Sequence, residues 1–157
     1  MGTRSTIALE FADGTVEQVY CHWDGYLSHN GRILRDHYSD PFKLRDLIDQ
    51  GSISSLGKEI GEKHPFGPAY NETDAAKKAE VQAAYDAAHE AGWTTFYARD
   101  RGEDGVEATK FASFTDYFLN HQYEEYEYIL RTDGKWYVAE DDSKFIELTE
   151  AFEKEEA

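Results

Sequence analysis

The chain has one cysteine, one methionine and three prolines in 157 residues, and basic residues are scarce. A single cysteine excludes an internal disulfide and a cysteine-based zinc site. No apolar run approaches the ~20 residues that a membrane-crossing helix needs. The opening Met1-Gly2-Thr3-Arg4 lacks the apolar stretch of a signal peptide, so the expected location is the cytoplasm, without a membrane partner. Sixteen Lys and Arg stand against 32 Asp and Glu, which gives a net charge of −16 and a pI near 4.6. A phosphate-tracking surface needs the opposite balance, so direct binding of nucleic acid is disfavoured. No repeat, no low-complexity tract and no cofactor motif is present.

What the chain does have is aromatic residues. Aromatic side chains make up 15% and hydrophobic ones 40% of the sequence, which argues for a packed core and against disorder despite a mean hydropathy of −0.74. The length suits one domain spanning residues 1–157. The acid excess is uneven, with a net charge of −4 over residues 1–80 and −12 over 81–157. Such a surface keeps a protein soluble and can also steer it to a basic partner.

Asp-Gly turns divide the first and last strand pairs. Thr6–Phe11 and Val16–Cys21 flank Ala12-Asp13-Gly14-Thr15, and Tyr126–Leu130 is followed by Thr132-Asp133-Gly134-Lys135 and Trp136–Val138. Both read as antiparallel hairpins. A third is expected between Trp93–Ala98 and Val106–Phe111. Asp40-Pro41 starts a helix with Leu44, Leu47 and Ile48 on one stripe, and Gly51 ends it. Further helices are expected over Thr73–Ala91, over Thr115–Gln122 with Phe118 facing inward, and over Ser143–Glu155 with Phe145, Leu148 and Phe152 on one face. A Gly/Pro-rich loop covers 57–73, and 153–157 is expected to fray. Together these give an α+β domain, an antiparallel sheet of hairpins with helices packed on one face.

The densest polar and aromatic stretch is Cys21-His22-Trp23-Asp24-Gly25-Tyr26, followed by His29 and Arg32. A two-residue turn in the first hairpin would pair Ala12 with Thr15, and so place Ser5 opposite His22 and Arg4 opposite Trp23. Arg4, Ser5, Thr6, His22, Trp23, Asp24, Tyr26, His29 and Arg32 then form a candidate ligand site. In one reading they are core and turn. In a second they bind an anionic or nucleotide-like small molecule, with Arg4 on phosphate and Trp23 or Tyr26 stacked on a base. In a third, His22 is the general base of a small hydrolase, oriented by Asp24 or Asp36, with Ser5 or Cys21 as nucleophile. His22, Asp24 and His29 match no zinc spacing, and His37 and His64 read as surface or capping residues.

The series Tyr123, Tyr126, Tyr128, Trp136 and Tyr137 has strand spacing and reads first as sheet core. If one side is open, Glu124, Glu125, Tyr126, Glu127 and Tyr128 make an acidic and aromatic face suited to a protein partner. The acidic run Glu140-Asp141-Asp142 reads as a solvated turn.

Several stretches carry a resemblance. Thr3–Ala8 (TRSTIA), Tyr20–Tyr26 (YCHWDGY), Gly31–Leu34, Ile53–Gly57 (ISSLG), Gln122–Leu130 and Asp133–Val138 are similar to a family of small accessory proteins of tailed bacteriophages and prophages. The resemblance implies a phage accessory protein in the bacterial cytoplasm. It implies no activity and no catalytic residue. Because small acidic phage proteins are often inhibitors, it also implies a host protein with a basic surface as partner, one of a defence system among the candidates.

Overall fold

The computed structural model describes residues 3–68, 72–121, 124–140 and 144–156. Gln122, Tyr123, Asp141, Asp142 and Ser143, which entered the expectations above, lie outside them, as do 69–71 of the expected 57–73 loop. Eight strands form one sheet: β1 (Ser5–Glu10), β2 (Val16–Cys21), β3 (Ile53–Ser55), β4 (Thr95–Phe96), β5 (Thr109–Phe111), β6 (Tyr126–Leu130), β7 (Trp136–Glu140) and β8 (Ile146–Glu147). Their order is β4-β3-β2-β1-β6-β7-β8, with β5 also paired to β2. Most pairings are antiparallel, while β1–β6 and β2–β3 run parallel. The α+β architecture expected from the hairpins and intervening helices is the one observed.

Both Asp-Gly hairpins form, and they share one turn. Gly14 N–H donates to Phe11 O and Phe11 N–H to Thr15 O. Gly14 has φ +92, and the Asp13 carboxylate accepts from the Thr15 N–H at 3.0 Å. Arg131, Asp133, Gly134 and Lys135 repeat these bonds in the second hairpin. This is a three-residue loop ending in a left-handed glycine. Asp13 keeps negative φ, so a two-residue hairpin turn, which needs positive φ at its first position, does not form. The pairing is therefore Ser5 with Cys21 and Thr6 with Tyr20, one residue away from the expected register. Because side chains alternate, a one-residue shift sends each of them to the other face of the sheet.

The sheet has two unequal cores. On the first face, Ile7, Leu9, Val19, Cys21, Tyr128, Leu130, Trp136 and Val138 pack against helical residues Leu34, Leu44, Leu47, Ile48, Leu148 and Phe152. These helical residues come from α1 (Arg32–His37), α2 (Pro41–Asp49) and, last in the chain, α6 (Leu148–Glu156). Helix α2 follows its sequence signals: Asp40 caps it by accepting from Phe42 N–H, and Gln50 and Gly51 close it. On the second face, Ala8, Val16, Phe111 and Ile129 pack with Tyr117 and, at the margin, Phe114, Tyr137 and Phe145.

Four expectations are corrected by the packing and the strand pairing. Helix α5 (Phe114–Asn120), capped by Ser113, buries Tyr117 and leaves Phe118 37% exposed. Phe145 belongs to this core and precedes β8, so it does not share a helix with Leu148 and Phe152. The third hairpin is absent: β4 pairs with β3 and β5 with β2. Instead, α4 (Tyr97–Arg101) follows β4 directly. Its first turn is pinned because the Asp100 carboxylate accepts from Phe96 N–H at 2.8 Å. Helix α3 (Ala75–Glu90) is capped by Asp74 and buries Ala88 alone, so Val81, Ala84 and Tyr85, which the sequence sets at helical spacing with Ala88, do not form a core face.

The loop after β3 is tied down by polar bonds. Arg99 donates to the carbonyls of Ile60 and Gly61 at 3.0 Å each, and His64 N–H donates to Asp100. His64 is buried, with Nε2 3.0 Å from Thr95 Oγ1. It is neither a surface nor a capping residue.

Candidate functional site

The register decides which candidate residues meet. Ser5, with no exposed surface, lies on the helix-covered face beside Cys21. Arg4 and Thr6 lie on the other face with Tyr20 and His22. The sheet therefore divides the expected ligand cluster in two.

On the helix-covered side the organising residue is Asn30, which the sequence did not single out. It sits in a single π-helical turn, Leu27–Gly31, and is completely buried. Its amide Nδ2 lies 3.3 Å from Ser5 Oγ, 3.4 Å from Cys21 Sγ and 3.3 Å from the Trp23 carbonyl, and its Oδ1 faces His29 Nδ1 at 2.9 Å. Asp24 adopts φ +57 and Gly25 packs on Ser5, where an added Cβ would sit 2.7 Å from the Ser5 Cβ. Tyr128 donates its hydroxyl to the Gly25 carbonyl at 2.6 Å. Asp24, Gly25 and Asn30 thus fold the chain back over the strand ends.

Trp23 and Tyr26 remain partly exposed at 42% and 38%. His22 meets the edge of the Trp23 ring and pairs through Nδ1 with Tyr20 Oη at 2.7 Å. Arg32 lies over the Phe152 ring, 5.4 Å from its centroid, away from Arg4.

The hydrolase arrangement does not assemble. Ser5 and Cys21 are on the face opposite His22, and Asp36 is bonded to Arg35 on the surface. Burial pushes the Cys21 thiol up to about 11, the reverse of what a nucleophile needs. Among the described residues no group of three or more His, Cys, Asp or Glu side chains is placed to hold a metal ion. None of the described helices is long and apolar enough to cross a membrane.

The second face holds a cavity of about 610 Å³. It opens where β2 changes its outer partner, from β5 at Gln18 to β3 at Cys21. Its buried lining includes Thr6, Gln18 and Phe111, and its rim includes Arg4, Tyr20, Ser52, Glu107, Asn120 and Glu124. Beside it Glu127 has no exposed surface; it accepts from Thr6 Oγ1 at 3.4 Å and contacts His121 Nε2 and the Glu124 N–H. Burial raises the Glu124 carboxyl above the usual carboxylate range, with Arg4 acting against the rise.

The expected acidic and aromatic face is only partly a surface. Glu125 is exposed and Glu124 and Tyr126 are half-buried, but Glu127 and Tyr128 have no exposed surface. Tyr128 is in the first core and Glu127 in the polar base of the second face, so neither can meet a partner directly. Comparison of the chain with protein-family models, curated proteins and solved structures gave no match.

Proposed function

We propose that this chain is a phage accessory protein that binds and inhibits a host factor, a component of a bacterial defence system being one candidate, through its acidic surface. The observation that carries the reading is the disposition of charge in residues 81–157. Of the seven cations there, Arg99, Arg101, Arg131 and Lys154 are engaged with Asp100, Glu103, Glu10 and Glu150. Meanwhile Glu107, Glu125, Glu140, Glu153 and Glu155 are exposed. The outward field of this half is therefore strongly negative, and such a field accelerates encounter with a basic surface. The partner is accordingly a host protein with a basic face, met in the bacterial cytoplasm.

Capture of host proteins on the purified chain from infected cells tests this, run at low salt and at ~1 M, where the screening length falls to ~3 Å. The expected result is a basic host protein held at low salt and released at high salt. Retention that does not change with salt contradicts the reading.

A further inference from the structure

Gln18 keeps 6% of its surface exposed, and its side-chain Nε2 is buried without a hydrogen-bond partner among the described residues. It belongs to the lining of the second-face cavity. A buried amide without partners costs about 1–3 kcal/mol, and native proteins leave few of them. Its strand neighbours on the same face are Val16 and Tyr20, and an apolar residue at Gln18 would simply extend the second core. Nε2 is thus an unused donor at the base of an open cavity.

The surroundings narrow what could meet it. Among the described residues of the lining, one cation, Arg4, stands against two carboxylates, Glu107 and Glu124. That balance opposes a phosphate and suits hydroxyl donors, which carboxylates accept. The Phe111 and Tyr20 rings supply flat apolar surface, and a glutamine amide matches a heterocycle edge that presents a donor beside an acceptor. The volume is within the ~300–1,000 Å³ range of small-molecule sites.

We propose that this cavity binds an uncharged nucleoside, its base edge on the Gln18 amide and its sugar hydroxyls toward Glu107 and Glu124. This differs from the anionic ligand expected from the sequence. The register places Ser5 on the opposite face and leaves Arg4 outnumbered by carboxylates. The site is independent of the partner-binding reading, since it needs no host protein.

Titration of the whole chain with adenosine, cytidine, ribose and adenosine 5′-monophosphate, followed by NMR of the Gln18 side-chain NH₂, tests it. A nucleoside should shift that resonance and bind more tightly than ribose or the monophosphate. Gln18→Leu should weaken nucleoside binding about tenfold or more, since one lost bidentate contact is worth ~1–3 kcal/mol, while melting at or above the wild-type temperature. Glu107→Lys, at an exposed rim position, should shift preference toward the monophosphate whether or not Gln18→Leu folds. The proposal is overturned if neither nucleoside moves the Gln18 resonance up to about 10 mM, well beyond the Kd range of specific sites. It is equally overturned if ribose or the monophosphate binds as tightly, or if folded Gln18→Leu binds like the wild type.

Discussion

His121 Nε2 meets a carboxylate oxygen of Glu127 beneath the second face of the sheet, and neither side chain has any exposed surface. The other ring nitrogen faces the Tyr117 carbonyl, to which it can only donate, and the His121 ring stacks on Tyr117 at 4.4 Å. The pair fastens the end of α5 to the middle of β6.

Breaking the pair from one side leaves a buried polar group without its partner. Glu127→Gln should lower stability by ~3–5 kcal/mol, read from urea unfolding. Replacing both residues with leucine should cost less than the sum of the single changes, because no orphaned group remains. Additive losses would mean that the two side chains do not interact.

Cys21 should be chemically silent in the folded protein. Its thiol is buried, is bonded near Asn30 and the Trp23 carbonyl, and stays protonated well above neutral pH, at about 11. At about pH 8 a free thiol is partly thiolate, so a thiol reagent should label the unfolded chain rapidly and the native chain only at the rate of unfolding. Rapid labelling of the native protein would contradict the placement of Cys21.

Much of this could be read from the residues. Asp40-Pro41 with Leu44, Leu47 and Ile48 specified α2 because cap, proline and stripe agree. The two Asp-Gly turns specified both hairpins. The register failed by one residue, since Asp-Gly serves both a two-residue turn and a three-residue turn with a left-handed glycine, and only the backbone path distinguishes them. That single residue moved His22 from the face of Ser5 to the face of Arg4 and Thr6, and divided the expected cluster. Gln18 gave a faint signal, as a polar residue between Val16 and Tyr20. Asn30 gave none, because its partners Ser5, Cys21 and Trp23 come together only through the turn at Asp24-Gly25. His121 and Glu127 lie close in the chain, but the sequence does not show that both face the second core.

Acid should weaken the link between the two hairpins. Burial opposes the charge on Glu10, but the Arg131 guanidinium and the Thr132 N–H outweigh it and hold the carboxyl below its ordinary range. A lowered folded value means that the stabilisation is complete above the unfolded value, about 4.3, and is lost as pH falls through the folded one. Glu10→Gln should therefore lower stability near neutral pH and flatten its decline below about pH 4. Unfolding midpoints measured from acid to neutral pH check this; parallel curves for wild type and variant would contradict it.

The loop over β3 and β4 depends on a close approach at Gly61. Its φ is +69, and an added Cβ would lie 2.2 Å from the Trp93 ring. Gly61→Ala should lower stability by at least ~1–3 kcal/mol and open the loop to trypsin at Lys58 and Lys63. An unchanged melting temperature with unchanged cleavage would be inconsistent with this packing.

The most direct measurement of the functional reading is phage plating. On the proposed reading, a phage deprived of this gene is plated on its host producing either the wild-type chain or a variant with Glu125→Lys, Glu153→Lys and Glu155→Lys, all exposed positions. Circular dichroism of the variant verifies that it is folded. The account predicts that the wild type raises plating efficiency and that the folded variant does not. Equal plating with the wild type, the variant and an empty vector, or full rescue by the variant, would contradict it.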